Sequence, residues 1–305
     1  MALRNIQIDI TKGIAIILMI IGHCSLFDGT MRYVIFSFHM PLFFIFSGYF
    51  FRNKPIVDVF KTGLDRLVKP YLIYAFLTEL LFRLFWKKGF ITCITDILFA
   101  HGGPKNTVLL PTETSLGPIW FLMALFWCRF FYAIIFKICK HHIYLSEIIA
   151  FIVSLLAICV GKYYLNMPLG ILTGASGLAF YGAGVILRDT KYRNMYAFVV
   201  VWLFAVYYHI TYVDMVNFNY QFYPFDFICG IGGSLLIFFV SWFFLNKTKI
   251  HLFATLGVYS LEILCVHQIV MSMCNIWGYN GWVFFFANIS IPIILPLMYY
   301  KYKIR

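Results

Sequence analysis

The sequence predicts an all-α fold: a polytopic membrane helix bundle of about ten transmembrane helices, with both termini cytoplasmic. Three observations carry this reading. Of 305 residues, 62% are hydrophobic and only 12% charged, whereas a soluble domain carries about 25% charged residues and about half apolar ones. Lipid is the solvent that suits such a surface. Apolar runs of about 20 residues, the length that spans hydrocarbon as helix, recur along the whole chain. Lys and Arg also concentrate on alternate loops, as the positive-inside bias demands.

The first segment covers 12–27. Its charged start followed by residues 13–21 resembles a secretory signal, but no small-x-small cleavage site follows and a second apolar run begins almost at once. A retained helix is therefore expected. The second segment, 33–51, contains Pro41, which removes an intrahelical bond and frees the carbonyl of Ser37, so a kink is expected beside His39. Ser47-Gly48 offers a small surface for close helix approach. The third segment covers 67–86. The following stretch, 91–100, is too short to span and reads as interfacial or re-entrant. Further spans are expected near 118–136, 147–165, 169–187, 195–213, 223–245, 254–274 and 281–300. Gly182-x-Gly184 and Gly230-x-Gly232-Gly233 lie inside apolar helices and read as packing surfaces, not phosphate loops. With no repeat or low-complexity tract, residues 1–305 form one integral-membrane domain.

The formal charge of +12 follows the topology. One face gathers Arg52, Lys54, Lys61, Arg66 and Lys69, then Lys137 and Lys140, then Lys301, Lys303 and Arg305. The other holds Arg32, Lys87, Lys88, Lys105 and Lys162. Anionic membrane lipid is thus the partner of the basic balance, and no nucleic acid is implied. Eight cysteines occur without a CxxC pair and mostly inside apolar runs. They read as small packing residues, with neither a disulfide framework nor a metal site.

Ionisable groups inside a span are costly and face a bundle interior or a wet cavity. His23, His39 and His267 qualify. At about 1.5 Å rise per residue, His23 lies about 16 Å above Lys12, and His39 and His267 lie roughly 20 Å from their nearest basic loops. All three fall at one level near mid-membrane. A single such histidine often packs between helices on a carbonyl; three at one depth point to a cavity. Eleven residues also return His23 to within about 20° of Lys12 on the helix wheel. One face therefore carries a cation at the cytoplasmic mouth and a titratable base deep inside. Asp9, one turn earlier, suits the helix dipole.

These segments carry a family resemblance. Asp9-Ile10-Thr11-Lys12-Gly13, Gly22-His23, Phe38-His39-Met40-Pro41-Leu42-Phe43-Phe44 and Ser47-Gly48-Tyr49 resemble the integral-membrane acyltransferase-3 family. Arg66-Leu67-Val68-Lys69-Pro70-Tyr71, Ile119-Trp120-Phe121-Leu122 and Tyr259-Ser260-Leu261-Glu262 with His267 follow in order. The resemblance covers nearly the whole chain. It implies about ten helices in the cell membrane and transfer of an acetyl or other short acyl group from acyl-CoA to a sugar hydroxyl. The family's basic-residue, ten-spacer, histidine motif falls on Lys12 and His23. Arginine is frequent at the first position, and lysine keeps the charge without bidentate geometry.

With that resemblance, Lys12, Arg66 and Lys69 are expected to meet the phosphates of acetyl-CoA, which enters as acyl donor with no metal required. His23 is expected to be the general base. His39 or His267 would orient it or donate to the oxyanion, and Ser260, on the face of His267, would be a hydrogen-bond partner. Asp9, Trp120 and Glu262 complete the expected site. The acceptor, a carbohydrate or lipid-linked glycan, would enter from the opposite side. The HxxxxD pattern from His23 to Asp28 resembles that of glycerolipid acyltransferases, but on a continuous helix the two side chains diverge by about 140°. The competing class is a transporter or flippase of a glycan precursor that relays protons through buried histidines.

Overall fold

Asn5 opens the first helix, α1 (Ile6–Gly22), by accepting the Ile8 amide on its side-chain oxygen at 3.3 Å, the bond that satisfies an otherwise orphaned N-terminal donor. The computed structural model describes residues 5–24, 26–27, 29–102, 105–106, 111–112, 116–163, 167–190, 195–245 and 250–303. His23 is the C-cap of α1, its amide turned back to the Met19 and Ile20 carbonyls. The helix is therefore set back from the expected 12–27, and Lys12 sits in its second turn instead of at its edge. Because α1 ends at Gly22, the helical argument against the HxxxxD pairing lapses; Asp28 lies outside the described residues.

The second segment is interrupted at Ser37–Phe38, yet Gly29–Tyr49 runs on as one span-length unit. It divides into α2 (Gly29–Phe36) and α3 (His39–Tyr49). Ser37 Oγ donates to the Val34 carbonyl at 2.7 Å and accepts the Trp202 indole N–H at 2.9 Å. Pro41 has no N–H to offer the Ser37 carbonyl. It falls in the first turn of a new helix, where that loss is tolerated, so the interruption precedes His39.

A continuous rod follows: α4 (Ile56–Gly63), a π-helical turn at Leu64–Val68, and α5 (Lys69–Trp86). The short α6 (Phe90–Phe99) folds back onto α5. Buried Lys88 ties the two, donating to Glu79 at 2.5 Å and to Asp96. Lys88 thus does not face solvent as its position in a charged loop suggests. The buried ammonium is tolerated because two carboxylates share it, and it offsets one of their two charges.

The rest of the bundle is α7 (Trp120–Ile138), α8 (Ile143–Tyr163), α9 (Ile171–Ser176), α10 (Leu178–Asp189), α11 (Tyr196–Tyr207), α12 (Tyr223–Phe244), α13 (Ile250–Val258), α14 (Ser260–Ile276) and α15 (Gly281–Lys303). Two antiparallel hairpins, Lys105–Asn106 with Pro111–Thr112 and Val213–Asp214 with Asn219–Tyr220, lie between helices. Among the described residues, five helices can cross a membrane by length and composition, or up to seven if each bent pair counts as one span. The expected ten is not reached on that basis. α1 and α11 are 17 and 12 residues long, and α5 contains Lys69, Glu79 and Arg83. The sixth and ninth expected spans are bent, by 50° between Pro168–Ser176 and α10 and by 79° between Leu252–Val258 and α14.

Packing turns on glycine. α1 lies against α13, with Gly13 over the Phe253 carbonyl and Gly257 over the Asp9 carbonyl. α3 lies against α10 in the same way, with Gly48 and Gly184 facing the Tyr181 and Ile45 carbonyls. A side chain at any of these positions would push two backbones apart, as expected for small-residue membrane interfaces. Ile16, Met19, Phe44, Phe121 and Phe180 are fully buried between the helices, while Ile148, Leu156, Trp282 and Phe286 point outward. All eight cysteines are free thiols, buried except Cys159.

Candidate functional site

Register along α1 decides what its two ends present. Eleven uninterrupted residues carry the Lys12 face to His23, about 16 Å further along the axis. There the ring of His23 lies 5.9 Å, centroid to centroid, from His267 of α14 and 5.6 Å from Phe36 of α2. Phe36 in turn is 4.7 Å from His39. Phe36 and His39 are three residues apart across the α2–α3 junction, a spacing that places them side by side where the chain runs on in the same direction.

The three imidazoles are held differently. His39 Nδ1 lies 3.0 Å from the Ile35 carbonyl. Since a carbonyl only accepts, that nitrogen carries the proton, and Nε2 is left with its lone pair in the neutral ring. His267 is fully buried, and neither ring nitrogen reaches a partner in hydrogen-bond geometry, although the Asn288 backbone of α15 lies alongside. His23 is half-buried and stands at the end of its helix. It is the one of the three that a solute reaches. A base needs both a free lone pair and access to the proton it removes, and His23 is the best placed.

The other end of the Lys12 face opens on a cavity of about 670 Å³. Lys12, Arg52, Lys54, Arg66 and Arg129 line it, with Asp9 as the only carboxylate of the lining. Lys12 Nζ stands 5.0 Å from the centre of the Phe50 ring, a cation–π contact that holds the ammonium at the wall. Ser47, Thr62 and Ser260 supply hydroxyls, and Phe43, Phe121 and Tyr181 supply aromatic surface. Five cations around one concave space give it a positive potential of the sign that attracts a multiply charged anion.

Sequence expectations and geometry meet in part. Lys12, Asp9, Arg66 and Ser260 line the cavity, whereas Lys69 is exposed outside it. None of the three histidines lines it. Ser260 and His267 share a face of α14, but about 10 Å of helix axis separates them, so a direct hydrogen bond between them is ruled out. Glu262 occupies the first turn of α14, where a carboxylate suits the helix dipole, and its charge reaches Tyr74 of α5. Trp120 is buried at the start of α7, edge-on to the cavity residue Phe121 at 6.2 Å. Arg52, Lys54 and Arg129 were not expected in the site. An arginine inside an apolar run, as Arg129 is, was the available signal. The rings of Phe43 and Phe121, both in the cavity wall, are 5.8 Å apart. Phe43 is one helical turn from His39, about 6 Å. Among the described residues, no group of three or more His, Cys, Asp or Glu side chains is arranged to hold a metal ion.

Comparison with known proteins adds a family. A match described as "Acyltransferase domain" covers residues 5–301. Nodulation protein NolL of Mesorhizobium japonicum is 29% identical over 133 residues, which is 40% of this chain and 34% of that protein. The protein of the same name from Sinorhizobium fredii is 29% identical over 131 residues, with the same shares covered. The matched region thus spans about a third of the length of these relatives. No solved structure matches the chain.

Proposed function

The chain belongs to the acyltransferase-3 family of integral membrane proteins, and from that premise we propose that it transfers an acetyl or other short acyl group from acyl-CoA to a hydroxyl of a carbohydrate or lipid-linked glycan. The observation that carries this reading is the division of labour along α1. An anion-receiving cavity sits at the Lys12 end and a base with two further imidazoles sits at the His23 end.

In this reading the chain is a single domain that crosses the plasma membrane about ten times, with both termini and the cavity on the cytoplasmic side. The phosphates of acetyl-CoA bind Lys12, Arg52, Lys54, Arg66 and Arg129. The pantetheine arm passes Ser260 and displaces the Phe43–Phe121 contact, which brings the thioester towards His267 and His23. His23 takes the proton of the acceptor hydroxyl as that oxygen attacks the thioester carbonyl. The carbon–sulfur bond breaks, and the proton returns from the imidazolium to the CoA thiolate. The products are an O-acyl ester and free CoA, with no net proton change. His39 or His267 orients His23 or donates to the oxyanion.

Purified protein in detergent micelles, given labelled acetyl-CoA and a panel of glycans, should release free CoA and an acylated product. His23→Ala, kept folded, should abolish both; retained turnover would remove His23 as the base. The second reading, a transporter or flippase with a histidine proton relay, draws on the unbonded nitrogens of His267. It requires glycan movement across a vesicle membrane with no release of CoA.

A further inference from the structure

Beyond the histidines, on the side away from the cavity, the surface carries a braced group of rings. Tyr33 of α2 stacks on Tyr212 with ring planes 14° apart and centroids 6.5 Å apart. His209 lies 4.6 Å from the Tyr33 ring. Both tyrosines are half-buried and His209 is exposed. Tyr144 and Tyr163, by contrast, are about three-quarters exposed, as side chains of an interfacial belt are.

The segment that presents these rings is fixed from beneath. Asp226, fully buried at the start of α12, accepts the Thr211 hydroxyl at 2.8 Å, the Tyr212 amide at 3.0 Å and the Phe222 amide at 2.7 Å. The Thr211 amide donates to the Tyr33 hydroxyl at 3.4 Å, which joins the loop to α2. His209 takes a left-handed backbone with φ of 55° because it closes the C-terminus of α11, where the Ile210 amide returns to the Ala205 carbonyl and fixes the position of the ring. Arg32, next to Tyr33, holds its guanidinium 5.0 Å over Phe36. Phe36 is the ring that touches both His23 and His39. Rings, cation and base thus form one path from the surface to the candidate base.

We propose that Tyr33, Tyr212 and His209 form a stacking platform for a glycosyl ring of the acceptor, and that Arg32 guides the ring's hydroxyls towards His23. A pyranose offers a face of C–H groups that lies on aromatic rings, while its hydroxyls need donors and acceptors at the rim. Tyrosines bring large rigid surface at low entropic cost together with a polar tip. The Arg32 fork and the His209 imidazole supply hydrogen bonds to the rim. The platform rests on the acyl-transfer reading for the direction of its substrate, but not for its ability to bind sugar.

The test uses the whole protein in micelles without acyl-CoA. Saturation-transfer NMR is recorded with oligosaccharides built of neutral hexose, N-acetylhexosamine or uronic acid units. At least one class should bind, the double variant Tyr33→Ala/Tyr212→Ala should weaken it tenfold or more, and Tyr33→Phe/Tyr212→Phe should stay within threefold. Under turnover, the alanine variant should raise the KM for acceptor at least tenfold with the KM for acetyl-CoA within twofold. Absence of binding by the wild-type chain, or unchanged binding by a folded alanine variant, overturns the platform. A phosphatidylglycerol nanodisc series that loses affinity in the alanine variant while sugar binding is unchanged also overturns it, in favour of lipid. Sugar binding that depends on the tyrosines, without release of CoA from acetyl-CoA, keeps the platform and removes the acyl-transfer reading instead.

Discussion

At its Lys12 end α1 borders an open space ringed by Arg52, Lys54, Arg66 and Arg129, while at its His23 end it meets His39, His267 and Phe36 in a packed group of rings. The first region has charge and room; the second has titratable nitrogens and little space. Charge in a wide, wet mouth attracts a polyanion at long range and is screened by salt. Imidazoles in a dry interior act over hydrogen-bond distance, where low dielectric strengthens each contact. In the proposed reading, affinity and chemistry should therefore be separable by mutation, although one helix would serve both.

The sharpest break of that contrast is His23→Ala. Loss of a general base costs about 10²- to 10⁴-fold in rate, so kcat should fall about 10³-fold while acetyl-CoA binding, read by calorimetry, stays unchanged. A comparable loss of CoA binding would merge the two regions into one. Next in size, Lys12→Ala or Arg129→Leu should weaken acetyl-CoA binding by about tenfold, in keeping with removal of one partly buried charge contact, and leave kcat within a few-fold for saturating donor. Lys12→Arg should restore binding, since the guanidinium keeps the charge and adds a fork. The effect of ionic strength comes third: raising salt from 0.05 to 0.5 M should raise the KM for acetyl-CoA several-fold and leave the KM for a neutral glycan unmoved. Lys69→Ala should change neither constant beyond twofold, because Lys69 points away from the cavity.

The shared face of Lys12 and His23 was readable from residue spacing, since helical rise and turn are fixed quantities and α1 has no breaker between them. The convergence of the three histidines was readable for the same reason, as a depth. Its partner Phe36 was not. It lies three residues before His39, a helical spacing, but an apolar ring in an apolar run carries no sign that it will meet two histidines. The 79° bend at Tyr259 had only Gly257, two residues earlier, as a marker, and that glycine reads equally well as the close approach to Asp9 that it makes. Arg129 was visible as a charge in an apolar run, yet only the fold shows that it shares a wall with Arg66 and Lys12. Likewise Lys69 and Arg66 are three residues apart, and the π turn that precedes α5 changes which of them turns towards the cavity.

The ion triad of α5 and α6 bears on how the chain enters its membrane. Lys88 finds Glu79 and Asp96 nine and eight residues away, so the three charges can meet within one helical hairpin before any distant helix has been made. Such a hairpin presents to the insertion machinery a turn whose lysine is already neutralised. In the proposed orientation that turn is translocated, and Lys88 drops out of the charge tally that resists translocation. The asymmetry that fixes the orientation of the nascent chain is then steeper than its basic residues alone suggest.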